Sequence, residues 1–230
     1  MAADDKSHVQ TMFGRIARRY DLMNRVMTFG ADRSWRKFLV KKAQLNNHSR
    51  VLDIAAGTGD IAFEIRRQYP QAQIIAADFA LPMMQVGQTR RQGSSVAWLG
   101  ANALTLPLPD NDFDAVVSGF LFRNVPDIDQ ALREQYRILK VGGRIVTLDT
   151  TPPTNPILKP FITLYFKLVV PLLGRIITGE PSAYRYLSGS TLNFKTAEEL
   201  AEKMRAAGFK SVGYKKMMLG TVAVHWGIKE

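Results

Sequence analysis

Residues Val51 to Asp78 carry the densest chemistry in the sequence, VLDIAAGTGDIAFEIRRQYPQAQIIAAD. An apolar run ends in an acid, Asp53, and a turn of small residues follows from Ala55 to Gly59. Helical spacing returns at Ile61, Ala62 and Ile65, and a second apolar run ends in another acid, Asp78. Strand, glycine turn, helix, strand, with a carboxylate at each strand tip, is the layout of a nucleotide-binding half of a doubly wound sheet. The second acid stands where a carboxylate accepts hydrogen bonds from the ribose hydroxyls of an adenosine-containing cofactor. Gly57 and Gly59 let the backbone turn sharply and approach a ligand, and the helix beginning near Gly59 offers free N–H groups.

Two cofactor classes fit this loop. Gly57-Thr58-Gly59-Asp60-Ile61-Ala62 satisfies the dinucleotide pattern G-x-G-x-x-G/A. Asp53 and Asp60 argue against it, because they put negative charge where a pyrophosphate would lie. S-adenosylmethionine (SAM) has no phosphate and carries an ammonium and a sulfonium, so it gains from those carboxylates. The bland alternative is a strand-to-helix turn with an Asp cap.

The elements around the loop follow from periodicity. Residues 4–47 read as helical, with Val9, Met12, Phe13, Ile16 and Tyr20 on one stripe and Trp35, Phe38 and Leu39 on the next. Strands are expected near 50–54, 73–77, 96–99, 113–118 and 143–148, with helices at 59–68 and 81–91 and a third capped by Asp127, running to about 139 and stopped by Gly142-Gly143. Six prolines interrupt the apolar stretch 152–190, which reads as two broken helices. A helix opens at Thr196 with Glu199 three residues on, a capping box. Two last strands, 211–216 and 221–228, can pair as a hairpin through Leu219-Gly220. That ending is unlike a plain dinucleotide fold and is usual in SAM-dependent methyltransferases, an argument by analogy.

Composition narrows the rest. The chain has 230 residues, 46% of them apolar, which suits one α/β domain over 1–230 with an N-terminal helical lid (1–47) and an inserted cap (152–190). It has no Cys, which removes thiolate metal sites and a cysteine nucleophile. No metal site is expected. The N-terminus is polar and mixed in charge, unlike a signal peptide. No run of 18 uncharged apolar residues occurs, so no spanning helix is expected. The net charge of +11 fits nucleic acid, an anionic membrane or an acidic substrate, or simply a basic surface.

Beyond these residue-level readings, the chain from about Met12 to Lys229 resembles the ubiquinone/menaquinone biosynthesis C-methyltransferases, within the class I SAM-dependent methyltransferases. Tyr20-Asp21-Leu22-Met23-Asn24 with Gly30 and Trp35 resembles the family's first signature, and Arg123-Asn124-Val125 with Asp127 its second. Asp53 to Asp60 is similar to the cofactor loop, and Ala183 to Leu187 and Gly220 to His225 match later stretches. The chain departs from the family at Asp32, where His is usual, at Leu121-Phe122 inside F-G-L-R-N, and at Lys195, where Pro is frequent.

The resemblance implies a Rossmann-like seven-stranded sheet and SAM as cofactor. It implies SAM contacts at Thr58, Asp78, Asn102, Ala103 and Gly119, with Ser118 as neighbour; Asp53, Ala55, Gly57, Gly59 and Phe79 complete the cofactor-binding set. It implies C-methylation of a reduced prenylated quinone ring, demethylmenaquinol or its ubiquinol-pathway equivalent. Arg123 is then the candidate for stabilising a developing phenolate, Asn124 for orienting the ring, and Tyr20 and Asp21 for closing the site, Asp21 also as proton acceptor. The bland reading of Arg123 is a surface pair with Asp127 or Asp129. His225 has a suitable pKa or is simply packed. A prenylated quinol is the expected partner, with peripheral membrane contact through 152–190, a homodimer as another reading of that surface, and a cytoplasmic location at the inner membrane face. Another lipid or polyketide methyltransferase is the nearest rival. A nucleic-acid methyltransferase and an NAD-dependent oxidoreductase are further off: Cys is absent, and the loop after strand four holds Phe122-Arg123-Asn124 rather than an Asn/Asp-Pro-Pro-aromatic motif.

Overall fold

The computed structural model describes the backbone of residues 2–230 and the side chains from residue 11 onward, so the Val9 side chain lies outside the described part. Two helices lead in, α1 (Ala2–Met27) and α2 (Asp32–Ala43). The alternating part follows: β1 (Arg50–Ile54), α3 (Asp60–Gln68), β2 (Gln73–Asp78), α4 (Leu81–Thr89), β3 (Ala97–Gly100), β4 (Phe113–Gly119), α5 (Ile128–Ile138) and β5 (Leu139–Thr150). Then come α6 (Lys159–Leu164), α7 (Val170–Thr178), α8 (Pro181–Leu192), α9 (Ala197–Ala206), β6 (Lys210–Met217) and β7 (Val222–Ile228).

The strands form a seven-stranded sheet in the order β3-β2-β1-β4-β5-β7-β6. Strands β1 to β5 pair in parallel, whereas β7 runs antiparallel to both β5 and β6. This is the class I methyltransferase sheet. The central strands are covered on both faces, which is why Val51, Leu52 and Ile54 of β1 are all buried. One apolar layer sets Trp35, Leu39 and Ile65 against the sheet; the opposite layer sets Leu132, Leu200 and Met204 against it. A third cluster lies off the sheet, where Ile16 and Met23 of α1 meet Met83 of α4 and Tyr184 of α8. That cluster holds the lead-in helix over the strand tips. Strand order reverses between β1 and β4, the switch point at which such sheets bind ligands.

Two local expectations fail. Gly142 and Gly143 do not stop α5; the chain passes straight from Ile138 into β5, and the glycines lie inside that strand. The β4–β5 register slips between Phe113 and Ala115, and Gly142 sits at φ +81°, so the pair builds a bulge. The apolar insertion holds two helical stretches, Lys159–Thr178 and α8, but the first is not broken at Pro171. A π-helical turn, Tyr165–Val169, joins α6 to α7. The Val170 N–H reaches back five residues to the Tyr165 carbonyl, and this widened turn makes room for the Pro171 ring. The continuous Lys159–Thr178 helix has 20 residues and a mean hydropathy of 1.6, with 17% buried. By length and composition it is long enough to cross a membrane, contrary to the sequence expectation.

Candidate active site

The C-terminal tips of β1, β2 and β4 wall a cavity of ≈ 210 Å³, roofed by Phe13, Tyr20 and Asn24 of α1. The loop after β1 supplies one side. Its shape needs backbone in the left-handed region at Ala55 (φ 58°), Gly57 (φ 57°) and Gly59 (φ 87°). Asp78 fixes that loop from the neighbouring strand. Its Oδ2 accepts the Gly57 N–H at 2.7 Å and its Oδ1 the Ala80 N–H at 2.8 Å. Burial raises the Asp78 carboxyl pKa, and those N–H groups pull it back. The carboxylate lines the cavity with lone pairs left for a ligand, as a ribose requires.

Ala55, Gly57, Thr58, Asp78, Phe79, Asn102, Ala103 and Gly119 are thus brought together around one space. A Cβ on Gly119 would stand 3.0 Å from Ile61 Cδ1, so this wall stays bare backbone. The side chain of Asn102 folds back, its Oδ1 accepting the Leu104 N–H at 3.1 Å. Its amide NH₂ remains as a donor suited to an adenine nitrogen.

Three of the sequence candidates stand behind the wall. Asp53 is fully buried, its Oδ2 accepting the Ala62 N–H at 3.0 Å, so it caps α3 from beneath, and its Oδ1 has no partner. Burial pushes its carboxyl up to about 8. Gly59 is packed against the rings of Trp98 and Phe63, where a Cβ would come within 2.8 and 3.0 Å. Ser118 donates to Thr147 Oγ1 at 2.9 Å inside the sheet. Neither carboxylate therefore bars a pyrophosphate by its charge. Asp53 holds its proton at neutral pH, and Asp60 is paired with Arg36 at 2.9 Å and Arg90 at 2.7 Å. Topology, with its antiparallel β7, carries the distinction instead.

A 3₁₀ turn, Phe122–Asn124, presents the second candidate group. The Arg123 side chain is only 7% exposed and pairs with neither Asp127 nor Asp129. Its Nη1 donates to Thr191 Oγ1 at 3.0 Å, its Nε lies 4.0 Å from Asp149 Oδ1, and its guanidinium sits 4.8 Å from the Phe120 ring centre. Asn124 donates from Nδ2 to the Phe120 carbonyl at 2.8 Å. Phe120 itself is strained, with φ 59°. Tyr20 lines the cavity from the lid; burial raises its phenol pKa and Arg123 opposes that. Asp21 is drawn elsewhere, accepting the Thr58 hydroxyl at 2.6 Å and Arg90 Nη1 at 3.1 Å. It ties the lid to the cofactor loop and lies off the cavity wall. His225 is packed: its Nε2 bonds the Ala197 carbonyl at 2.9 Å, and burial drives its pKa down to about 4.

Arg123 lines a second, apolar cavity of ≈ 70 Å³ built from α1, α2, α7, α8 and the π-helical turn. Asn24, Arg36 and Phe120 belong to both cavities, so these residues are the partition between them. Sequence reasoning missed Asp149. Fully buried, it accepts the Phe122, Arg123 and Thr150 N–H groups at 2.8, 3.3 and 2.8 Å and faces the Arg123 guanidinium. Burial lifts its carboxyl to about 6 despite Arg123. The available signal was an acid ending the apolar run 145–148, the pattern already seen at Asp53 and Asp78.

Comparison with known proteins adds the family. The family model described as the ubiE/COQ5 methyltransferase family matches residues 1–229. The ubiquinone/menaquinone biosynthesis C-methyltransferase UbiE of Desulfotalea psychrophila is 51% identical over 221 residues, 96% of this chain and 90% of that one. The demethylmenaquinone methyltransferase of Thermus thermophilus is 44% identical over 218 residues, 94% of this chain and 99% of that one. Among solved structures, a SAM-dependent methyltransferase of Thermotoga maritima, titled a possible histamine N-methyltransferase, superimposes with a TM-score of 0.68 at 22% identity, covering 97% of this chain and 100% of that one. At that identity the likeness concerns the fold.

Proposed function

We propose a substrate from one premise: the chain belongs to the ubiE/COQ5 methyltransferase family and is a SAM-dependent methyltransferase. The substrate is the reduced ring of a prenylated quinone, methylated at carbon: demethylmenaquinol, or its ubiquinol-pathway equivalent. The names of the two relatives support this reading. The observation that carries it is the partition. Asn24, Arg36 and Phe120 stand where the adenosine-sized cavity meets the apolar one, with Tyr20 and Asn124 beside them on the wall of the first and the buried Arg123 guanidinium on the apolar side.

SAM, when bound, supplies an electrophilic methyl group. Thr58, Asp78, Phe79, Asn102, Ala103 and Gly119 are the residues proposed to hold it. The rest is the work of the partition. A ring carbon attacks well only when the ring is electron-rich, so the quinol form is required and loss of a phenolic proton helps. A guanidinium is a donor with no basic lone pair to offer; Arg123 therefore stabilises the phenolate oxygen and does not take its proton. Poor solvation around a 7%-exposed guanidinium makes that stabilisation stronger than it would be in water. Asn124, held by the Phe120 carbonyl, orients the ring, and Tyr20 closes the site from above. Thr191 and Asp149 hold Arg123 in place. Arg123→Ala should lower turnover on a reduced short-chain prenyl quinol by about 10²–10³ while SAM affinity changes little. Unimpaired turnover would remove Arg123 from the mechanism.

The prenyl tail needs an apolar path, and the Lys159–Thr178 helix offers one. Phe161, Leu164, Leu168, Leu172 and Ile176 are 70, 56, 61, 55 and 69% exposed and recur at helical spacing, with Lys159, Lys167 and Arg175 among them. The opposite face is engaged: Val170 is buried, Tyr165 donates to the Met27 carbonyl at 3.0 Å, and Gly174 abuts the Tyr184 ring. A helix fastened on one side and greasy on the other lies on an anionic bilayer rather than through it. The stripe supports the reading of a cytoplasmic enzyme that works at the inner membrane face. Phe161→Asp should reduce flotation with anionic liposomes; equal flotation rejects the membrane role and leaves the stripe to a homodimer, which sedimentation would reveal.

A further inference from the structure

The larger cavity carries a single cation on its described wall. Arg36 of α2 is the only basic side chain there, and Asp60 and Asp78 are the only acids. Asp78 stands at the tip of β2, whereas Arg36 and Asp60 meet at the start of α3, beside Thr58. The guanidinium is 12% exposed and Asp60 20%. Nη1 of Arg36 donates to Asp32 Oδ2 at 2.6 Å and Nη2 lies 2.9 Å from Asp60 Oδ2. Asp60 Oδ1 in turn accepts from Arg90 Nη1 at 2.7 Å, and Arg90 reaches Asp21 at 3.1 Å. The result is an alternating row, Asp32, Arg36, Asp60, Arg90, Asp21.

A row of this kind could merely bolt α2 to α3. Its position argues for more. Arg36 and Asp60 both face the cavity, and Arg36 also lines the apolar cavity beyond the partition. They put a fork of N–H donors and a carboxylate side by side on one stretch of the wall, apart from Asp78 at the tip of β2. A ligand matching that pair has a carboxylate and an ammonium on one carbon. An α-amino acid is such a group. Three acids against two arginines leave the row one negative charge in excess, which suits a ligand end that also bears a sulfonium.

We propose that Arg36 and Asp60 form the subsite for the α-amino-acid end of SAM, Arg36 taking the carboxylate and Asp60 the ammonium. This rests on the assignment of SAM to the larger cavity. Asp32 is a positioning residue: it and Asp60 each take one of the five N–H donors of the fork, and the remainder serve the ligand. With the adenosine end at Asp78 and Asn102, this subsite would anchor the amino-acid end beside the partition.

The test is calorimetric and needs no turnover. S-adenosylhomocysteine and 5′-methylthioadenosine share the adenosine and the sulfur, and only the first has the amino-acid end. Wild type should bind S-adenosylhomocysteine more tightly. Arg36→Gln should weaken that ligand about 10- to 100-fold, the scale of a charge-assisted hydrogen bond, and leave 5′-methylthioadenosine within about twofold. Arg36→Lys keeps the charge without the fork and should fall between. Where the Gln variant does not fold, the Lys variant decides, since it must weaken the amino-acid ligand more than the other. Equal affinity of the two ligands for wild type, or equal weakening of both by the variant, overturns the subsite alone. Failure of wild type to bind either ligand removes the cofactor assignment as well.

Discussion

Asp53 makes stability depend on pH in a direction opposite to that of most carboxylates. It is fully buried, one oxygen bonded to the Ala62 N–H and the other without a partner. Burial lifts its carboxyl from 3.8 to about 8. Between those values the folded chain holds a proton that the unfolded chain has released, so stability falls as pH rises from about 4 to about 8 and is level above that. At about 1.4 kcal/mol per pH step the gap amounts to about 6 kcal/mol, and relaxation with water entry keeps the realised loss below this ceiling. Asp53→Asn retains an acceptor for the Ala62 N–H and removes the titration. Thermal melts of both proteins from pH 5 to pH 8.5 isolate Asp53, because Asp149, lifted to about 6, contributes equally to each. The wild type should lose ground against the variant as pH rises, by about 5–10 °C across the range, at about 2–4 °C per kcal/mol for a chain this long. Saturating SAM should shrink the difference, since its positive charges favour the ionised carboxyl. Parallel curves would refute the account of Asp53 as a buried, proton-holding cap.

Two further perturbations probe the scaffold. Gly59 and Gly30 both adopt positive φ, 87° and 75°, yet a Cβ at Gly59 would meet the Trp98 ring at 2.8 Å while nothing lies within 4 Å of one at Gly30. Gly30→Ala should therefore cost about 1 kcal/mol and Gly59→Ala about 2–4 kcal/mol in urea unfolding; equal losses would mean that conformation alone sets both. Asp149→Asn leaves the Arg123 guanidinium without its buried counter-charge and puts an amide N–H against backbone donors. It should cost about 3 kcal/mol and reduce turnover at least tenfold, and unchanged stability would show that Asp149 does not hold the Phe122–Asn124 turn.

What the sequence disclosed was mostly local. The acid-tipped strands at Asp53 and Asp78, the glycine loop, the Asp127 cap and the Thr196–Glu199 capping box each depend on residues a few positions apart, and each element forms where its signal lies. The hairpin of β6 and β7 was legible for the same reason. Contacts across long separations were not. Arg36 meets Asp60 from another helix, and Asp149 closes on a turn 26 residues earlier, so neither is visible in spacing. Pro171 misled because its cost is absorbed by a π-helical turn that no residue pattern announces. Gly142-Gly143 misled because a glycine pair serves a helix end and a strand bulge equally well. Asp21 was expected at the reacting centre, and only the folded chain draws its carboxylate to Thr58 and Arg90.

The central claim is methyl transfer to a quinol ring carbon by the groups gathered at the partition of the two cavities. Mass spectrometry of quinones extracted from cells lacking the gene tests it most directly. The account predicts an accumulated quinone lighter by one methyl group, converted to the full-mass species when the wild-type chain is restored and left unconverted by Arg123→Ala. A normal quinone pool in the deleted strain, or full conversion by that variant, would contradict it.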